Sequence, residues 1–203
     1  MRVLRLLISA IVFVVVGIVF VAGGISDKIS SRTKTDISTL TEDKIKDGMM
    51  VEGTIYEIWD EFAYDSGDGD YTGYYAFPLE ASFEGREPYF VALKLSNAAD
   101  LKIAEKMSNE TDDYYYNDIT PNVWTEFEIT GKVSSLKGDG LDFFREYVEQ
   151  MGYDDADYDK AYVISRYTAG SETGRIVVGA IFAGLGLLMI GGTVLLRLVK
   201  GRR

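Results

Sequence analysis

The chain opens and closes on an uncharged apolar run, Leu6–Ile25 and Ile176–Leu196, and every acidic residue lies between the two. A helix rises about 1.5 Å per residue, so roughly 20 apolar residues cross the ~30 Å hydrocarbon core of a bilayer. Each run reaches that length with no charge to bury. The plan expected from this is a transmembrane helix over 6–25, a juxtamembrane linker over 26–47, one outer α+β domain over 48–168, a second transmembrane helix over 176–196 and a basic tail over 197–203.

The N-terminal run reads as an uncleaved anchor rather than a signal peptide. Its apolar core is longer than the usual 7–15 residues, and Phe20-Val21-Ala22-Gly23-Gly24 is a poor cleavage site. Orientation follows from nearby Lys and Arg. Arg197, Lys200, Arg202 and Arg203 follow the second run, against Arg166 and Arg175 before it, which places the C-terminus in the cytoplasm. Around the first run, Arg2 and Arg5 are balanced by Lys28, Arg32 and Lys34, so the second run decides. Both termini are expected inside, at the plasma membrane, with the domain extracytoplasmic.

All 32 Asp and Glu fall between Asp27 and Glu172, against 14 of the Lys and Arg, which leaves that stretch at −18. Such a field repels phosphate backbones and argues against nucleic acid as a partner. The chain has no cysteine, so no disulfide contributes to its fold. It also lacks histidine, which removes His-based triads, His-ligated zinc and the commonest general base.

Within the domain the expected order is β, β, β, α, β, α, β. The first strand is long, Met49–Phe62, and Gly53 inside it suits a bulge that bends it. Tyr74–Ala81 follows, with Pro78 pointing to an edge. In Pro88–Ser96, Tyr89, Val91, Leu93 and Leu95 form the better core face. Asn97 caps a helix over Ala98–Met107, and Ser108–Asn117 then reads as a polar, aromatic segment. A strand over Asn122–Ser134 carries Val123, Phe127, Ile129 and Val133 on one side. A helix over Leu141–Met151 and a strand over Lys160–Tyr167 complete the order. Two architectures fit: an OB-like barrel, or an open antiparallel sheet with both helices on one face.

Four groups of residues are candidates for function. In Asp65–Gly73 the carboxylates of Asp65, Asp68 and Asp70 resemble the oxygen donors of a calcium loop, the one cofactor the composition suggests and a weakly held one. Asp68, Asp70, Thr72 and Gly73 follow the start of an EF-hand loop, but Leu79 stands where its closing Glu belongs, so a solvated hairpin loop is the plainer reading. Asp154, Asp155, Asp157 and Asp159 repeat the spacing with Lys160 in place of the turn glycine. Tyr114, Tyr115 and Tyr116, amid polar neighbours, form a candidate binding patch for carbohydrate or peptide. In the second run, Gly179/Ala183 and Ala180/Gly184 are small-xxx-small pairs suited to close helix packing, with the first run as partner or a second copy as the alternative.

The segment Asp47-Gly48-Met49-Met50-Val51-Glu52-Gly53-Thr54-Ile55, with Gly131-Lys132-Val133, resembles uncharacterised two-span membrane proteins of Gram-positive bacteria, in which similar pieces open the outer domain and a later strand. The resemblance implies an uncharacterised family and supplies no site residues. The residues lead to a membrane-anchored binding or scaffolding module, holding a protein partner or envelope ligand near the membrane. Its alternatives are a carboxylate-dependent, calcium-assisted membrane-bound hydrolase and an accessory subunit of a transporter or channel. Enzyme activity stays open, with a non-enzyme favoured.

Overall fold

The computed structural model describes residues 2–67, 70–79, 88–154, 158–168 and 170–200. They divide into two units, a helical pair from the chain ends and a sheet domain over 33–167.

The helical unit is α1 (Arg2–Ser30) and α4 (Ser171–Lys200), packed along their length. Both are long and apolar enough to cross a membrane. Small residues set their approach. A Cβ on Gly17 would lie 2.6 Å from the Gly179 carbonyl oxygen, and one on Gly186 would lie 2.7 Å from that of Ala10. Ala10, Gly17 and Gly24 recur every seven residues in α1, and Gly179 and Gly186 do so in α4, a spacing that keeps one seam facing the partner along a helix pair. Phe13 stacks on Phe182, with ring centroids 5.6 Å apart.

The sheet domain contains β1 (Lys34–Asp36), β2 (Met50–Ile55), β3 (Glu61–Asp65), β4 (Thr72–Pro78), β5 (Phe90–Leu95), α2 (Ala98–Tyr116), β6 (Phe127–Ser135), α3 (Asp139–Gln150) and β7 (Tyr162–Arg166). One seven-stranded sheet runs β1-β2-β6-β7-β5-β4-β3. It is mixed, because β1 with β2 and β5 with β7 are parallel pairs. The expected OB-like barrel does not form: β1 and β3 end the order without pairing, and the sheet is open. The open alternative was expected to be purely antiparallel, and the two parallel pairs correct that as well.

The sheet is nevertheless curled. Five strand intervals separate β2 from β3, about 24 Å in a flat sheet. Residues 56–60 join them, and six peptide steps reach about 22 Å at most. The long first strand is broken before Trp59, where the chain already pairs with β4. The Trp59 N–H donates to the Ala76 carbonyl (2.7 Å), and the Ala76 N–H donates to the Asp60 carbonyl (3.4 Å). The other polar groups of Asp60 turn to the helices: its N–H donates to the Tyr147 hydroxyl (3.1 Å), and its carboxylate accepts from the Ser108 hydroxyl (3.0 Å). Gly53 pairs in register with Ile129, so the irregularity lies instead in β3, between Glu61 and Ala63.

The helices approach the sheet from opposite sides. Gly73 and Tyr74 are neighbours in β4 and face opposite ways. Leu101 of α2 sits against Gly73, while Phe62, in ring contact with Tyr74, meets Phe144 of α3. Strand β5 is accordingly buried on both faces, Phe90 and Ala92 as fully as Val91, Leu93 and Leu95. Pro78 is not in an edge strand, but it occupies the last position of β4, beyond the pairing with β3.

The stretch expected as a linker contributes to this core. Asp36 accepts from the Ser38 N–H (3.0 Å) to start a 3-10 turn at Ile37–Thr39, and Ile37, Leu40 and Ile45 are buried in the main cluster. Ile37 fills the space where a side chain at Gly53 would project.

Candidate binding cleft

Helix α2 does not stop at Met107. Its buried stripe continues through Ala104, Met107, Ser108 and Thr111, at helical spacing. It ends beyond Tyr116, where Asp118 takes a left-handed conformation (φ 55) and the Ile119 N–H donates to the Asp113 carbonyl (2.9 Å). The tyrosine run therefore forms the last turn of a helix. Successive helical residues point about 100° apart, so the three cannot share one face. Tyr114 and Tyr115 line an open cleft of about 520 Å³; Tyr116, the most exposed of the three, does not.

Across the cleft stands Trp124, placed by Glu110. One carboxylate oxygen of Glu110 accepts from the Thr125 N–H and the other from its hydroxyl, both at 2.8 Å. Glu110 lies one turn before Tyr114, so this grip sets Trp124 edge-on to the Tyr114 ring, with centroids 5.3 Å apart. It also explains why the strand begins only at Phe127. Val123, expected to share one strand face with Phe127, Ile129 and Val133, is 80% exposed on the cleft wall.

The remaining walls come from Tyr56, Glu57 and Glu126. Glu57 is held between two donors, the Trp59 indole N–H and the Tyr115 hydroxyl. Trp59 stacks on Tyr115 (5.3 Å between centroids) and meets Phe90 edge-on (5.7 Å), which ties the cleft to the core. Burial pushes the Glu57 carboxyl above its ordinary value, against the opposite pull of its two hydrogen bonds. Partial desolvation and the neighbouring Glu57 likewise raise the Tyr115 hydroxyl. The cleft offers aromatic faces, acceptor oxygens and negative charge.

Of the acidic loop, Asp65 closes β3 and its carboxylate accepts from the Gly67 N–H (2.9 Å), while the Asp70 N–H donates to the Gly67 carbonyl (3.2 Å). Asp68 lies outside the described residues, as do Asp155 and Asp157 of the second acidic turn. Asp159 of that turn pairs with Arg145 at 3.6 Å. Among the described residues no group of three carboxylates could hold a metal ion. In α4, Gly179 and Ala183 face α1, whereas Ala180 is exposed and a Cβ on Gly184 would meet nothing within 4 Å.

Trp124, Tyr56, Glu57 and Glu126 were not singled out by sequence reasoning. Two signals were there to use. Glu110 and Tyr114 are four apart, as are Thr111 and Tyr115, a spacing that carries the helix onward.

A model of a domain of unknown function, DUF8577, matches residues 1–197. No curated protein and no solved structure matches the chain. The matched stretch takes in both apolar helices and the whole curled sheet between them, and the chain belongs to the DUF8577 family.

Proposed function

We propose that the chain is a two-span membrane protein whose sheet domain lies outside the cytoplasm and binds a ligand or partner in the aromatic cleft. Two helices of spanning length support the membrane reading. The Lys and Arg after the second helix support the orientation. The observation that carries the binding role is the set of large aromatic side chains left in solvent around one half-buried carboxylate. Tyr56, Tyr114, Tyr115 and Trp124 are all exposed in a domain whose other aromatics include the fully buried Phe77, Phe90, Phe127 and Phe144. Contiguous exposed apolar surface of this kind marks interaction sites.

The absence of cysteine makes sidedness simple to test. In intact cells a membrane-impermeant maleimide should label D70C and leave R203C untouched; the reverse pattern would refute the orientation. For the binding role, W124A and Y114A should each lower recovery of whatever co-purifies from detergent-solubilised membranes, with the melting temperature of the domain retained. Unchanged recovery would remove the cleft from the account.

A second reading has one observation in its favour. Ala180 and Gly184 turn away from α1, leaving a small-residue face for another membrane helix, as an accessory subunit would need. Bulk introduced as G184I should abolish such an association while leaving the α1–α4 pair formed.

A further inference from the structure

We propose that the cleft selects an organic cation, an alkylammonium or guanidinium group carried on an apolar stem. This rests on the cleft being the binding site and adds the chemistry of what it takes. Four aromatic rings line the cleft, with Glu57 and Glu126, and among the described residues no lysine or arginine lines it. Its side-chain polar groups are two carboxylates, the hydroxyls of Tyr56, Tyr114 and Tyr115 and the Trp124 indole N–H, and the Tyr115 hydroxyl is already turned onto Glu57. What is left is a surface whose charged groups are all acceptors, with only neutral donors beside them. A neutral polyol would leave both carboxylates without a counter-charge, and an anion would meet their repulsion. A cation needs acceptors and ring faces alone, because the negative face of an aromatic ring attracts positive charge.

The geometry suits this use. Trp59, which packs on Phe90 of the core, and Tyr115 of the cleft wall both donate to the Glu57 carboxylate, and Glu57 lines the cleft. Trp124 stands edge-on to Tyr114, and Tyr114 edge-on to Tyr115 (5.1 Å between centroids), so the rings present differently angled walls rather than one flat platform. Angled rings around a carboxylate surround a compact charged head group. A volume of about 520 Å³ leaves room for the stem behind it. The charge of the whole domain acts in the same direction, raising the local concentration of cations.

The test uses the full chain in non-ionic detergent micelles at constant ionic strength, read by tryptophan emission, since both tryptophans flank the cleft. Choline is titrated against 3,3-dimethylbutan-1-ol, its neutral isostere, and N-acetyl-arginine methylamide is titrated in parallel. A saturable change is expected with choline or the arginine derivative, about tenfold tighter than with the neutral alcohol. The stronger of the two cations then identifies the source, a small ammonium compound or a basic side chain of a protein. E57Q, which keeps the hydrogen-bond acceptor for Trp59 and Tyr115, should weaken the cation and leave the alcohol unchanged; E126Q should do the same to a smaller extent. Equal affinity for alcohol and cation would overturn the charge selection while leaving a binding cleft in place. No saturable response to either cation would overturn the proposal, and co-purification with W124A would still test the cleft itself.

Discussion

Arg175 in the first turns of α4 donates to the Asp27 carboxylate near the end of α1 at 2.7 Å, and the Asp27 side chain is only 10% exposed. The pair sits at the end of the helical unit where both apolar runs give way to polar sequence, and it joins residues 148 positions apart. A charge-assisted hydrogen bond to a largely buried carboxylate fixes the register of one helix against the other. R175A should lower the stability of the helical pair by about 1.5–3 kcal/mol. R175K should recover only part of it, having lost the planar donor. Thermal unfolding of the full chain in micelles, followed by helical circular dichroism, measures both.

Close backbone approach makes a sharper claim about α4. G179L has to place its side chain where the Gly17 carbonyl oxygen would be 2.7 Å from the new Cβ, so the helices must separate. At position 184 a Cβ meets nothing within 4 Å, so G184L starts into open space. The first should destabilise the pair by several kcal/mol, as overpacking against backbone does, and the second should leave its melting unchanged. Equal effects of the two substitutions would contradict the seam described above.

The segment before β2 is part of the sheet domain in energetic terms. Leu40 is completely buried, and L40A should cost about 2–5 kcal/mol, where a true linker would tolerate it. Gly53 supplies an independent check. Its φ of 149 is a conformation that side chains rarely adopt, and a Cβ would lie 2.6 Å from Ile37. G53A should therefore destabilise by about 1–3 kcal/mol. I37A made together with G53A should restore less than the packing loss it adds, because the backbone conformation stays unfavourable. Denaturant titration of L40A, G53A, I37A and the I37A/G53A double variant settles the point.

Asp100 and Arg166 link the first turn of α2 to the end of β7. The guanidinium meets both Asp100 oxygens, reaches the Glu128 carbonyl at 3.2 Å, and lies over the Phe127 ring at 5.1 Å. A planar fork is required for all of these together. R166K should cost about 1–3 kcal/mol, nearly as much as R166A; full rescue by lysine would show that charge alone matters here.

What the sequence made legible follows from where apolar residues carried the pattern. The two apolar runs, the β5 alternation and the Phe144–Val148 stripe of α3 all stand out by hydropathy. The second half of α2 did not, because its buried positions are Ser108 and Thr111, polar residues satisfied by tertiary contacts such as Ser108 to Asp60. The same cause hid the cleft. With α2 ended at Met107, the tyrosines had no helical face, and Val123 and Trp124 fell into a strand that Glu110 in fact prevents from starting so early. The sheet order was out of reach for another reason. Pairing of β2 with β6 and of β3 with β4 depends on a break between Ile55 and Trp59, and Asp60 just beyond it is held by polar contacts from two helices distant in sequence.

Glu57 gives the last expectation its sign. Burial raises its folded-state pKa above the ordinary carboxylate value. Between those two values the folded chain holds more protons than the unfolded chain, so stability falls as pH rises through that window. The groups facing Glu57 are the Trp59 N–H and the Tyr115 hydroxyl, which hold it, with Glu126, Tyr56 and Tyr114 along the cleft; none is cationic. Asp112 contributes a slope of the same sign, raised by burial and by Asp60 and Asp113, so the wild-type curve alone cannot isolate Glu57. The difference between wild type and E57Q can. E57Q should melt higher than wild type at neutral pH, and the gap should close as the pH falls toward the ordinary carboxylate value. A cation in the cleft would lower the Glu57 pKa and flatten the wild-type curve, so melting profiles from pH 4 to 8 with and without saturating choline read the carboxylate and its ligand in one measurement.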